Sequence, residues 1–267
     1  MAVKSIVLVL LASLAGCAGL HESPLFTNTQ DAGANRSEDL FRLARDIEAN
    51  GGGDTALELY RQAVAAAEDT PAAHVRLGDA YLRAKKLNSA IATYRAALAK
   101  DPDNADALLG LGTAFAQQGA LQKSLAALSK AAPHVNTGAA YNRLGVAQTM
   151  AGQFSEAQAT FEKALAAQPD DLDIATNLAL AAALAGQSKK AAELTGQIAQ
   201  SPRVQAAHRR NLVIVLGIIG RSAKDARTIA PSELSQADFE ELFGRAASIR
   251  NIADPKERAR ALGTMQG

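Results

Sequence analysis

The sequence predicts an all-α fold, a superhelical solenoid of about six helix pairs with further helices capping its C-terminal end. Three observations predict it. Segments starting at residues 37, 71, 105, 138, 172 and 206 resemble one another, at spacings of 34, 34, 33, 34 and 34 residues. Small residues recur at the eighth position of a segment (Gly78, Gly112, Gly145, Ala179) and at the twentieth (Ala90, Ser124, Ala157, Ala191). A glycine recurs midway, as Gly119, Gly152, Gly186 and Gly220. Each segment therefore reads as two antiparallel helices. The small side chains of one face those of the other and let the axes approach closely. The glycine joins the helices where a positive φ costs it nothing.

The first unit, residues 37–70, carries Leu43-Ala44, Ile47, Ala56, Tyr60 and Ala63, with an extra glycine run, Gly51-Gly52-Gly53, in its turn. The second has the fullest pattern: Leu77-Gly78, Tyr81, Ala90, Tyr94, Ala97 and Pro102. The third has Leu111-Gly112, Phe115, Ser124, Leu128 and Ala131, and the fourth Leu144-Gly145, Ala157, Phe161, Ala164 and Pro169. The fifth has Leu178-Ala179, Gly186 and Ala191, and the sixth Leu212 and Gly220. The large residue at the twenty-fourth position, such as Tyr94 or Phe161, is expected to fill the gap toward the next unit. Pro102 and Pro169 end second helices. In the sixth unit Val213 stands where a small residue belongs and Asp225 where alanine belongs, so this unit is expected to pack less closely and to act as a cap.

One unit cannot bury its own apolar face, so residues 37–230 are expected to stack as a single body. Beyond Pro231 the pattern stops. Ser235 and Asp238 outline a capping box, and Phe239, Leu242, Phe243, Ala246 and Ile249 recur at helical spacing. This amphipathic helix is expected to cover the open end of the stack, with a short helix over 254–262 after it; residues 231–267 thus form the capping helix and tail. The 34-residue period with this pattern resembles the tetratricopeptide repeat, which implies a right-handed superhelix.

Residues 1–16 have the three parts of a secretory signal: a basic residue, Lys4, an apolar run over 6–14, and small residues before a cut. The run Leu14-Ala15-Gly16-Cys17 ends on the only cysteine of the chain. A thiol is what a diacylglycerol-transferring enzyme modifies, so Cys17 is the expected lipidation site and first mature residue. The apolar stretch from Ser5 to Leu20 is shorter than the roughly twenty residues of a spanning helix. Two or three acyl chains suffice for stable anchoring. Ala18, rather than aspartate, follows the cysteine. In a Gram-negative host this resembles the signal for the periplasmic face of the outer membrane. Residues 17–36, with Pro24, Asn28, Gly33 and Asn35, read as the lipidated N-terminus and a flexible tether.

The chain has 28 Lys and Arg against 27 Asp and Glu, and loss of Lys4 with the leader leaves 27 of each. Such balance does not indicate a nucleic-acid partner or an electrostatic membrane surface. One cysteine makes no intramolecular disulfide. The histidines, His21, His74, His134 and His208, lack metal-ligand spacing. Neither a nucleophile elbow nor a phosphate-binding or dinucleotide motif is present. The run Asp101-Pro102-Asp103-Asn104 lacks the terminal glutamate of a calcium loop and fits helix capping instead. No enzymatic activity, metal or cofactor is expected.

Function is then expected to lie on a binding surface. The first helix of each unit lines the concave face in this architecture. Its contact positions in the last three units include Asn142 and Arg143, Asn177 and Leu180, and Arg210, Asn211 and Ile214. Asparagine both donates to and accepts from an extended peptide backbone; the rival reading is that Asn142, Asn177 and Asn211 brace neighbouring helices. Val146, Leu180 and Ile214 share the ninth position and make that stretch apolar. Asp79, Thr113 and Val146 at ninth positions leave no carboxylate clamp of the kind some such repeats carry.

The segments Asn177-Leu-Ala-Leu-Ala-Ala-Ala-Leu-Ala-Gly186 and Arg210-Asn-Leu-Val-Ile-Val-Leu-Gly-Ile-Ile-Gly-Arg221 resemble paired segments of the TadD family, lipoproteins of tight-adherence (Flp-type) pilus assembly. Val213 and Ile214 depart from that family's Ala and Leu. The resemblance implies a non-catalytic, pilotin-like adaptor that binds the secretin or another pilus component at the outer membrane. The alternative on the same fold is a lipoprotein scaffold for cell-envelope or peptidoglycan enzymes.

Overall fold

A computed structural model describes residues 29–264, so Cys17 and the leader lie outside the described residues. The described residues form six helix pairs followed by two more helices. The pairs are α1 (Thr29–Ala49) with α2 (Gly53–Ala66), α3 (Pro71–Arg83) with α4 (Leu87–Lys100), and α5 (Ala105–Gln117) with α6 (Leu121–Val135). Then come α7 (Gly138–Met150) with α8 (Phe154–Ala167), α9 (Leu172–Leu184) with α10 (Ser188–Ala199), and α11 (Ala206–Ile218) with α12 (Ala223–Ile229). The chain ends in α13 (Gln236–Ile249) and α14 (Pro255–Gly263). The all-α solenoid expected from the period is the observed fold. Five of the six expected unit starts coincide with the first residue of a helix.

Local chemistry sets those starts. Thr70, Asn104, Thr137 and Asp171 each accept a hydrogen bond from a backbone N–H of the following first turn, the last two at 3.2 and 3.0 Å. They occupy orphan donors that a helix start leaves open. Asn104 is thus a helix cap, as its run suggested. The one 33-residue spacing arises where α6 continues to Val135, Asn136 turns left-handed at φ 49° and Thr137 caps α7 at once.

The first unit departs from expectation. Helix α1 begins at Thr29, so the end of the segment read as a tether is helical. Gly33, expected in the flexible tether, instead lets α1 approach the end of α2 closely. A Cβ built on it would lie 3.0 Å from the Ala66 carbonyl oxygen. Four residues on, buried Ser37 donates to the Ala63 carbonyl at 2.8 Å. The extra turns of α1 are held by α2.

The small residues at the eighth position face a different partner from the one expected. A Cβ at Gly78 would fall 2.6 Å from the Tyr94 ring, at Gly145 2.6 Å from the Phe161 ring, and at Gly112 2.7 Å from Leu128. These glycines therefore seat the large residue at the twenty-fourth position, while Ala90, Ser124, Ala157 and Ala191 are fully buried beside it. Tyr94 also reaches the next unit as expected: a Cβ at Gly110 would lie 2.7 Å from its hydroxyl. Its ring is closed between two glycines of successive first helices and is fully buried.

The turn residue of each unit has positive φ: Gly51 (86°), Gly119 (78°), Gly152 (77°), Gly186 (78°) and Gly220 (79°). In the second unit the same position is Lys85, at φ 58°. A side chain with a Cβ is strained there by about 1–2 kcal/mol, partly offset by the greater freedom that glycine loses on folding. Lys85→Gly is therefore expected to raise stability by about 0.5–1 kcal/mol, read from urea denaturation followed by circular dichroism.

The C-terminal helices do more than cover the end of the stack. Helix α13 lies on α11, where a Cβ at Gly217 would fall 2.7 Å from the Ala246 Cβ. Helix α14 then crosses back to α7 and α9. Its start sits so close to the turn after α7 that a Cβ at Gly152 would lie 2.9 Å from the Pro255 carbonyl carbon. One apolar cluster joins Leu180, Leu184 and Ile214 to Leu242, Ala246, Ile249, Ala259 and Leu262. The sixth unit is consequently not loose: Val213 is fully buried, and the shortness of α12 is compensated by α13.

Candidate protein-binding groove

The first helices of the units, α1, α3, α5, α7, α9 and α11, line the inner face, and the C-terminal helices divide it in two. On α9 and α11 it is filled. Residues 178–184 and 212–218 are buried on every side. Leu180 is 5% exposed and Ile214 1%, so these two expected contact residues belong to the core of this structure and are not open to a partner. Gly217 explains the difference: with no side chain three residues after Ile214, it lets the backbone of α13 close over the face that Ile214 shares.

The remaining expected contact residues separate into two groups. Asn177 donates from Nδ2 to Asn142 Oδ1 at 3.0 Å, joining α9 to α7. Both side chains are half-buried, and their bond is the bracing role, not a free peptide contact. Asn211 is half-buried on α11 and lies outside that pair. Arg143 and Arg210 are exposed.

On α1, α3, α5 and α7 the face is open. Val146 (37% exposed) and Met150 (46%) stand one turn apart on α7, with Arg143 one turn before Val146. These are two of the three large apolar side chains exposed among the described residues. Met150 was not singled out in the sequence; its i, i+4 spacing from Val146 was the available signal. Toward the N-terminus the surface becomes charged. Arg83 on α3 makes a two-pronged bond to Glu48 on α1, 2.8 Å from each prong, and its Nη2 donates to the Tyr60 hydroxyl at 3.1 Å. The hydrogen bond from Arg83 holds the Glu48 carboxyl below its ordinary range, with a further contribution from the Tyr60 hydroxyl. Arg76 pairs with Glu38 and places its guanidinium 4.5 Å above the Phe41 ring. Partly exposed pairs of this kind contribute about 0.2–1 kcal/mol each. Their main effect is to fix which cations face the groove.

A cavity of about 170 Å³ lies at this end, lined by Phe41, Arg45, Tyr60, Arg76, Asp79 and Arg83. Asp79 marks its inner edge. The Tyr94 hydroxyl, from the second helix of the same unit, donates to Asp79 Oδ1 at 2.6 Å. Burial pushes the Asp79 carboxyl up, against the opposing effect of this bond. The Tyr94 hydroxyl is pushed up as well, by burial and then by the carboxylate it serves. This is a structural pair at a groove wall; a base poised for proton transfer would need a reacting partner facing it.

Two of the histidines hold structural positions. His208 Nε2 bonds Asp173 Oδ1 at 2.9 Å, and its Nδ1 accepts from the Gln205 backbone N–H at 3.0 Å, tying the start of α11 to α9. His74 pairs with Asp69 just ahead of α3. Among the described residues no group of three metal-ligating side chains converges, and no helix is long and apolar enough to cross a membrane.

Comparisons with known proteins agree with this geometry. A family profile described as a TPR repeat matches residues 78–119, and one described as a tetratricopeptide repeat matches residues 142–206. No curated protein sequence matches the chain. Among solved structures, Pseudomonas aeruginosa PilF superposes with a TM-score of 0.61 at 17% identity, over 86% of this chain and 99% of that one. A tetratricopeptide repeat protein of Parabacteroides merdae gives 0.64 at 16% identity, over 87% and 93%. YrrB, described as a TPR protein with an unusual peptide-binding site, gives 0.57 at 16% identity, over 71% and 97%. Tetratricopeptide repeats mediate protein–protein interactions, and no enzyme family is indicated by these matches. Period, helix pairing, seated aromatics and profile matches converge: the chain folds as a tetratricopeptide-repeat solenoid.

Proposed function

We propose that this protein is a lipid-anchored, non-catalytic adaptor of pilotin-like role, which holds a segment of the secretin or another component during Flp-type pilus assembly at the outer membrane. The observation that carries the binding role is the open inner face of α1–α7, where Arg143, Val146 and Met150 stand exposed beside the ion-paired groove wall. Three further features support the reading. The run Leu14-Ala15-Gly16-Cys17, read as a lipidation signal, supplies an anchor. The fold likeness to PilF spans 86% of this chain and 99% of that one. A protein of the same fold is described as having a peptide-binding site. The anchor fixes location, and the solenoid supplies a long contact surface without chemistry.

The test pairs localisation with capture. Cys17→Ser is expected to leave an unprocessed precursor that no longer fractionates with the outer membrane. Crosslinked pull-down from envelopes is expected to recover a pilus component with the native protein and much less with Cys17→Ser. Unchanged fractionation of Cys17→Ser overturns the anchor. Recovery of peptidoglycan or other envelope enzymes in place of pilus components moves the assignment to a general envelope scaffold.

A further inference from the structure

The fifth unit lacks the side chains that fill the junction with the next unit in those before it. At the twenty-first position the first four units carry Leu57, Ile91, Leu125 and Gln158, and the fifth carries Ala192. At the twenty-fourth they carry Tyr60, Tyr94, Leu128 and Phe161, and the fifth carries Thr195. Gly196 follows, where an added Cβ would meet nothing within 4 Å. In the first two units these large residues pack with the eleventh position of the next first helix. Leu57 and Tyr60 share a cluster with Tyr81, and Ile91 and Tyr94 share one with Phe115. Between units five and six the eleventh position is Leu216, and beside it lies a cleft of about 220 Å³. Ala192, Thr195 and Gly196 of α10 form one wall and Ile229 of α12 another.

Thr195 adds a polar requirement to this apolar cleft. It is 4% exposed, and its hydroxyl has no hydrogen-bond partner among the described residues. Thr93, Thr113, Thr149 and Thr176, also inside helices, each donate to the carbonyl four residues back at 2.6–2.9 Å. Thr195 makes no such bond. A buried hydroxyl left unpaired is costly, so a fitting occupant brings a partner for it. An aliphatic side chain or a plain ring covers the walls and leaves Thr195 as it is. A phenol does both, because its O–H donates and accepts. The space suffices, since a cavity of about 150 Å³ admits a benzene ring. We infer that the cleft between α10 and α12 receives the tyrosine side chain of a protein partner, where the chain's own large residues fill the earlier junctions. Small-molecule sites enclose most of their ligand. This cleft is open on one side, with Arg221 and Asp225 exposed at its rim, which suits a ring borne on a chain passing over it. It lies on other helices than the open groove of α1–α7, so this inference and the adaptor reading fail separately.

The probe is N-acetyltyrosinamide, titrated into the full chain with labelled methyl groups and followed by nuclear magnetic resonance. Saturable shifts are expected at Ala192, Leu216 and Ile229. N-acetylphenylalaninamide, which lacks the hydroxyl, is expected to bind about tenfold more weakly. In Thr195→Val that difference is expected to vanish. Ala192→Leu and, separately, Gly196→Leu fill the cleft from within. Each is expected to melt as the unchanged chain does and to bind the tyrosine probe about tenfold more weakly or less. Shifts that do not saturate, equal binding of the two probes to the unchanged chain, or undiminished binding to both filled variants overturn the inference. Free tyrosine binding more tightly than its capped form overturns the protein source of the ring.

Discussion

Tyr94→Ala is expected to destabilise the solenoid by about 3–5 kcal/mol, a large share of the stability of a chain this size. The ring is fully buried and is seated on glycines from two successive first helices. Its removal leaves a cavity that α3 and α5 cannot both collapse into, because each is fixed by its own second helix. Repeat stacks depend on contacts between neighbours. The loss is therefore expected to uncouple the first two units from the rest and to split the single urea transition, followed by circular dichroism, into two. Tyr94→Phe keeps the packing but takes the hydrogen bond from half-buried Asp79, at a cost of about 1–3 kcal/mol. A Tyr94→Ala melt that remains single and shifts no further than that of Tyr94→Phe would show that the ring is not the junction between units two and three.

Much of this was legible in the sequence because the repeat imposes it. Five helix starts follow from the period and from Thr70, Asn104, Thr137 and Asp171. The turn glycines follow from the αL conformation they adopt. What a repeat pattern does not carry is the fate of segments outside it. Residues 29–36 lack the unit's signature, and the close approach that keeps them helical depends on Gly33, which by composition alone reads as a turn. The larger difference is the filled inner face. Its signal was present: residues 178–184 and 212–218 are almost uninterrupted apolar runs. A helix apolar all round is covered all round, whereas the inner face of a binding unit keeps a polar or exposed stripe, as α7 does. Counting positions within the unit places Ile214 on a binding surface; the breadth of the apolar run around it places it in the core. The Asn-Leu segments that carry the resemblance to pilus-assembly lipoproteins are thus also the segments under α13 and α14.

That distinction gives the second large effect. If Ile214 were a contact residue on an open face, Ile214→Asp would weaken partner capture and leave the fold intact. In the structure it is 1% exposed beneath α13, in a cluster with Leu242 and Ala246. A carboxylate placed there has no cation or donor to meet it, and burial of an unpaired charge is among the few single changes that cost roughly 4 kcal/mol or more. Ile214→Asp is therefore expected to lower the urea midpoint sharply, with loss of order centred on α9, α11 and α13. Arg210→Ala, one turn away on the same helix but exposed, is the control and is expected to change stability by no more than about 0.5 kcal/mol. Equal, small effects of the two would return Ile214 to the surface and detach α13 from α11. Unequal effects of the expected size leave partner binding to the open half of the inner face, on α1, α3, α5 and α7. The same arrangement accounts for Gly217: α13 closes over α11 only because the position beside Ile214 has no side chain.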